Sequence, residues 1–303
     1  MKGKVLASSL LVMMLWGLLL PLVKLGYREF ELASTGEILA FAGMRFFVCG
    51  AILTGFCFFR NRTDFAQLKK SLPAVLLMGL FGIILHYSFS YLGLRMTDGS
   101  KTGILKQMGS VFFICCSPLF FPDDKLTRNK LIGLLLSFSG ILVINLRSGG
   151  FTFHFGDILL LTSSFCTVFS NVLGKKVFRK VEPILAAGVS QFFGGVVLLL
   201  VGMALGCKFT QVVPVTLPQM GILGTIFASS IISYTIWYLS VQKESLSRLY
   251  VVKFAEPLCA LVFSWILLGE NIFQLRYAAA FLLISSGILI ANKRRDQEKT
   301  AVK

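Results

Sequence analysis

Acidic residues are scarce in this sequence: 14 Asp and Glu stand among 303 residues, against 30 Lys and Arg. Charge of either sign is thin, at 15%. A soluble globular domain of this length could not cover its surface with so little. Histidine occurs only twice, and the seven cysteines form no C-x-x-C and cluster with neither histidine. That spacing argues against a metal site and a disulfide framework. Cys49, Cys57, Cys115, Cys116, Cys166 and Cys259 fall inside apolar runs, with Cys207 at the end of another, and read as small hydrophobes. No Walker loop, dinucleotide fingerprint, H-E-x-x-H or G-x-S-x-G occurs, so neither ATP drive nor standard hydrolase chemistry is supported, and no cofactor is expected.

What is abundant is apolar length. The chain is 55% hydrophobic with a mean hydropathy of +0.79. Runs of about 20 residues, enough to cross a hydrocarbon core, recur from end to end. Ten are expected, near 5–26, 36–59, 73–94, 100–121, 127–146, 156–174, 184–206, 217–241, 247–268 and 272–292. "MKGK" before the first run looks like a secretory leader, but no small-x-small cleavage site follows, so it reads as the first helix of the mature chain. The expectation is an all-α integral membrane protein.

The formal charge of +16 suggests nucleic acid until the basic residues are placed. With a cytoplasmic N-terminus, 20 of the 30 fall on the cytoplasmic side: at the N-terminus, in 60–70, 125–130, 175–180 and 243–248, and in the tail. Six fall outside (Arg28, Arg95, Lys101, Arg147, Lys208, Arg276), and four lie within runs. That is the positive-inside bias, with both termini cytoplasmic in a plasma (inner) membrane. The partner implied is a lipid bilayer, not nucleic acid.

The chain also matches itself. Shifted by 147 positions, "YSFSYLGL" (87–94) meets "YTIWYLSV" (234–241), Lys106 meets Lys253, and "SGILVIN" (139–145) meets "SGILIAN" (286–292). Residues 86–145 share 13 of 60 positions with 233–292 without a gap. Two halves, 1–147 and 148–303, would each hold five spans. An odd number turns the second copy over, giving two inverted five-helix repeats of the kind common in secondary transporters.

Several local features resemble the drug/metabolite transporter superfamily, in its EamA-like branch. Trp16 and Lys24 lie in the first span, Arg45 in the second, Pro257 ahead of "LLGE" (267–270) in the ninth, and "SGILI" (286–290) in the tenth. The resemblance implies a transporter, often a metabolite exporter, with amino acids among the family's substrates. The first half departs from it: Ser110 replaces the Pro, and "FPDD" (121–124) stands where the second half has "LGEN".

Candidate site residues follow from cost. Lys106 and Lys253 lie roughly 10 Å inside their helices, from opposite faces, at 1.5 Å per residue. Either their heads snorkel to the interface, or both face a wet central cavity and attract an anionic group. Glu256, the one acid deep in a span, shares a helix face with Lys253 and is positioned to pair with it. It either holds the fold or accepts a proton or a substrate amine. Pro257 lacks the N–H that would bond the carbonyl of residue 253, leaving that carbonyl free. Arg45 is a structural clamp or an anion site. Tyr87 with Tyr91, and Tyr234 with Tyr238, each share a face that Trp16, Trp237 and Gln107 extend. For any one aromatic, packing is a sufficient account. His86 reads as a hydrogen-bonded core residue. The small residues Gly133 and Gly140, aligned with Ala280 and Gly287, suit close helix packing.

The expected function is a secondary transporter, and an exporter, of a small polar metabolite such as an amino acid, by alternating access, with protons as the candidate coupling ion. A membrane-embedded enzyme or a channel using the same cavity are the alternatives. The enzyme wants more convergent acid–base groups than one buried Glu, and the channel a more continuous polar lining.

Overall fold

The computed structural model describes residues 1, 3–60, 65–96, 99–145, 154–269 and 275–293. All regular structure among them is helical. The helices are Gly3–Glu29 (α1), Thr35–Phe59 (α2), Phe65–Gly79 (α3), His86–Met96 (α4), Gly99–Phe120 (α5), Arg128–Asn145 (α6), Phe155–Val177 (α7), Pro183–Ala204 (α8), Leu217–Lys243 (α9), Leu246–Val252 (α10), Glu256–Leu268 (α11) and Leu275–Asn292 (α12). A π-helical turn, Leu80–Leu85, joins α3 to α4, so the third expected run is one longer rod. A 3₁₀ turn, Lys253–Ala255, joins α10 to α11.

Eight of these rods are long and apolar enough to cross a membrane, and the apolar part of α5, Ile104–Phe120, is shorter. The helix α6, with Arg128 and Lys130 in its first turn, is not among the eight, so ten spans are not met by length and composition alone. The outer faces remain apolar: Leu119, Leu275 and Leu289 are 84%, 87% and 65% exposed, a surface suited to lipid rather than water. Helix starts follow local rules. Ser34 and Glu37 form a reciprocal capping box before α2, and Thr216 with Gln219 does so before α9.

Small residues decide which helices touch. The helix α2 lies along α8, where a side-chain carbon on Gly50 would overlap the backbone of Phe192. The helix α6 lies along α12, with Gly133 against Gly287 and Ala291, and Gly140 against Ala280 and Ile284. The helix α1 packs on α9 and α11, while α7 packs on α4 and α5.

One polar cluster ties the loops together. Asp124, between α5 and α6, binds Lys130 Nζ at 2.6 Å and accepts from Ser245 Oγ at 2.8 Å. It also accepts from the backbone N–H of Ser247 at 3.0 Å and from the Ser247 hydroxyl. Both Asp124 and Lys130 are 3% exposed. Lys175 of α7 donates to the carbonyls of Val241 and Glu244 at the end of α9. The segment "FPDD", which breaks the repeat, thus anchors the N-terminus of α10.

Candidate functional site

A cavity of about 180 Å³ lies in the middle of the bundle. Its walls come from α1, α4 and α5 of the first half and from α7, α9 and the α10–α11 rod of the second, with Arg45 reaching in from α2. All eleven residues singled out from the sequence line it: Lys106, Lys253, Glu256, Arg45 and Gln107, the tyrosines 87, 91, 234 and 238, and Trp16 with Trp237. Helix depth and the shared faces of the repeat bring them there.

The repeat-matched tyrosines meet at the centre, Tyr87 Oη lying 3.3 Å from Tyr234 Oη. Phe46 packs on both rings, at 4.8 and 6.0 Å. Arg45 donates from Nε to Ser230 Oγ at 2.8 Å and lies 4.8 Å from the Phe46 ring centre. It has a hydroxyl and a ring for company and, among the described residues, no carboxylate.

The two lysines sit in unlike surroundings. Lys253 Nζ lies 5.9 Å from the Trp16 ring and 5.6 Å from the Tyr250 ring, within cation–π range. Trp16 in turn packs on Trp237 and Tyr234 at 5.0 and 5.7 Å. Lys106 shares the cavity with hydroxyl-rich α7, whose Ser163, Ser164 and Thr167 line it too. Part of the lopsidedness is in the sequence: Ser90 is the repeat counterpart of Trp237.

Two expectations are corrected. Lys253 and Glu256 form no ion pair: neither side chain makes a hydrogen bond or salt bridge among the described residues. A 3₁₀ turn joins the two positions in place of the continuous α-helix expected. Nor is the carbonyl of Lys253 free. The N–H of Glu256 bonds it from three residues on, the bond that a proline at 257 still permits. In the first half, where Ser110 replaces Pro257, α5 runs on unbroken and Ser110 Oγ donates to Gln107 at 3.3 Å.

Other residues of the site had no signal of charge or repeat to mark them. Asn171 accepts from Trp237 Nε1 at 2.9 Å and donates to Tyr250 Oη at 3.1 Å, tying α7 to α9 and α10. His86 is hydrogen-bonded as expected, Nδ1 lying 2.8 Å from Ser163 Oγ and 3.0 Å from the Ser163 carbonyl oxygen, and it also lines the cavity. A lone Asn or Ser in an apolar helix reads as packing until its neighbours are known. Glu270, of the "LLGE" stretch, lies outside the described residues.

An all-helical bundle with lipid-suited outer faces around a charged and aromatic cavity suits a membrane transporter. Known proteins agree. The EamA-like transporter family matches twice, over residues 2–146 and 154–292, and the chain belongs to that family. It is the family that points to a transporter rather than an enzyme. It is 24% identical over 288 residues to an uncharacterized transporter of Archaeoglobus fulgidus, covering 92% of this chain and 95% of that one. It is 26% identical over 294 residues to the uncharacterized transporter YvbV of Bacillus subtilis, covering 96% and 92%. A solved crystal structure, 17% identical, superposes with a TM-score of 0.78 over 96% of this chain and 97% of that one, a likeness of fold.

Proposed function

We propose that the protein is a secondary transporter that exports a small polar metabolite, such as an amino acid, by alternating access across the plasma (inner) membrane. It has ten spans in two inverted five-helix repeats, with both termini cytoplasmic. The observation that carries this reading is the cavity. Four charged side chains (Arg45, Lys106, Lys253, Glu256) and six aromatic ones converge where apolar helices would otherwise pack, and charge at that depth is costly unless it is used.

The packing supports the repeat. The contacts of α1 with α9 and α11 correspond under the repeat to those of α7 with α4 and α5, while α2 pairs with α8 and α6 with α12, each with its own counterpart. The doubled family match and the positive-inside count point the same way. The outward direction rests on the family resemblance.

Alternating access needs one closed end. The Asp124 cluster and the Lys175 bonds hold the cytoplasmic ends of α5–α6, α7 and α9–α10 together. Buried Trp237, Tyr250 and Phe113 lie next to them as an aromatic layer. On the other side the cavity lining runs to Leu20, Val23 and Leu94, towards the outer ends of α1 and α4. We read this as an outward-facing state with a cytoplasmic latch shut.

Counterflow in proteoliposomes tests the carrier. Uptake of labelled solute should saturate and be accelerated by unlabelled solute inside, whereas a channel would show neither. Glu256→Gln tests proton coupling: pH-driven flux should disappear while solute exchange persists.

A further inference from the structure

Three charged side chains in the cavity have no hydrogen-bonding or ion-pair partner among the described residues. Among the described residues Lys106, Lys253 and Glu256 make no hydrogen bond and no ion pair. Arg45, the fourth charge, donates from Nε to Ser230 and lies on the Phe46 ring, much as Lys253 faces the Trp16 and Tyr250 rings. A charge left unpaired in an apolar surround is unfavourable, so a ligand that brings the missing partners gains what the protein withholds.

The fold duplicates the lysine and not the acid. Lys106 and Lys253 are repeat counterparts, but Glu256 has Gly109 as its counterpart. There α5 lies so close to α7 that a side-chain carbon on Gly109 would stand 2.6 Å from the Ser164 carbonyl oxygen. No carboxylate fits at that position. Beside the Ser230-bonded guanidinium of Arg45, the cavity therefore offers two ammonium groups and one carboxylate.

We propose that the substrate is an α-amino dicarboxylate, with its two carboxylates on Lys106 and Lys253 and its ammonium group on Glu256. This rests on the carrier reading above. Other small solutes fit the charges less well. A neutral amino acid leaves one lysine unmatched, a cationic one meets an excess of positive charge, and a dicarboxylate without an amine sets Glu256 against its own sign. The size agrees: about 180 Å³ holds on the order of ten waters, the scale of aspartate or glutamate.

The test uses the full chain in liposomes, with counterflow of labelled L-glutamate. L-Aspartate should compete at least about tenfold better than L-glutamine, glutarate or L-lysine, about one decade in Kd. Glu256→Gln should lower the preference for L-glutamate over glutarate, and Lys253→Met the preference for L-glutamate over L-glutamine, each by about tenfold. A merely structural role would move neither ratio. Saturable counterflow of neutral or cationic amino acids that L-glutamate fails to compete overturns the substrate class and leaves the carrier intact. Equal competition by glutarate removes Glu256 from the assignment and overturns it as stated. If no solute shows counterflow in a protein that still melts cooperatively, the carrier reading falls, and this one with it.

Discussion

Lys106, Lys253 and Asn171 line the same cavity, yet their removal should have opposite consequences. Replacing the lysines breaks no hydrogen bond or ion pair among the described residues. Lys106→Met and Lys253→Met should therefore insert normally and melt no lower than the parent, while substrate affinity weakens tenfold or more. That follows if each lost charge-assisted bond was worth about 1.5–3 kcal/mol. Equal transport by both variants would mean that the lysines only snorkel. Asn171 accepts from Trp237 and donates to Tyr250. Asn171→Ala strands one buried donor, on Trp237, and one buried acceptor, on Tyr250, so a stability loss of about 1–3 kcal/mol is expected, seen as a lower melting temperature in detergent. Depth in a helix pointed to the lysines; only contacts across helices pointed to Asn171.

At the scale of elements, the rod from Leu246 to Leu268 is in two pieces, and its first piece hangs on a loop of the other half. Burial raises the Asp124 carboxyl, but Lys130 and the Ser247 hydroxyl and N–H outweigh it and hold Asp124 below the usual carboxylate range. A carboxyl depressed in the folded state gives stability that is full above its unfolded value, about 3.9, and lost as pH falls through the folded one. The latch should thus be indifferent to pH from neutrality down to about pH 4 and loosen below it. Asp124→Ala leaves the buried Lys130 ammonium with the Lys125 carbonyl alone, at up to about 3–5 kcal/mol by analogy with other broken buried pairs. In a background without native cysteines, Val241→Cys should then react with cytoplasmic maleimide faster than when Asp124 is present. An unchanged rate would show that the aromatic layer alone keeps that end shut. Nothing in the residues "FPDD" announces this role, because Ser245 and Ser247 lie some 120 positions away.

For the whole molecule, the topology is the claim most open to test. Cysteine labels at 125–130 and 175–180 should be shielded from impermeant reagents outside, and labels at 210–215 should react. Labels near 97–99 and 149–152 should also react, and those in 60–70 and in the tail should be shielded. Residues 61–64, 97–98, 149–152 and the tail from 294 lie outside the described residues. Reversal of the pattern would overturn the charge argument and the count of spans with it.

Membrane residence, the paired tyrosines and the duplicated lysine were legible in the sequence by itself. Hydropathy over about 20 residues is a local property, and a repeat is a comparison of letters. Charge inside an apolar run is costly wherever the run packs, so Arg45, Lys106, Lys253 and Glu256 stood out before any contact was known. Only the tertiary structure decided how those charges are partnered. Lys253 and Glu256 form no ion pair across their 3₁₀ turn, the closeness of α5 and α7 at Gly109 denies the first half an acid, and Asp124 reaches across the repeat to α10. Each depends on distances between helices. Those are set by which small residues let two backbones approach, and a single helix read alone does not contain them.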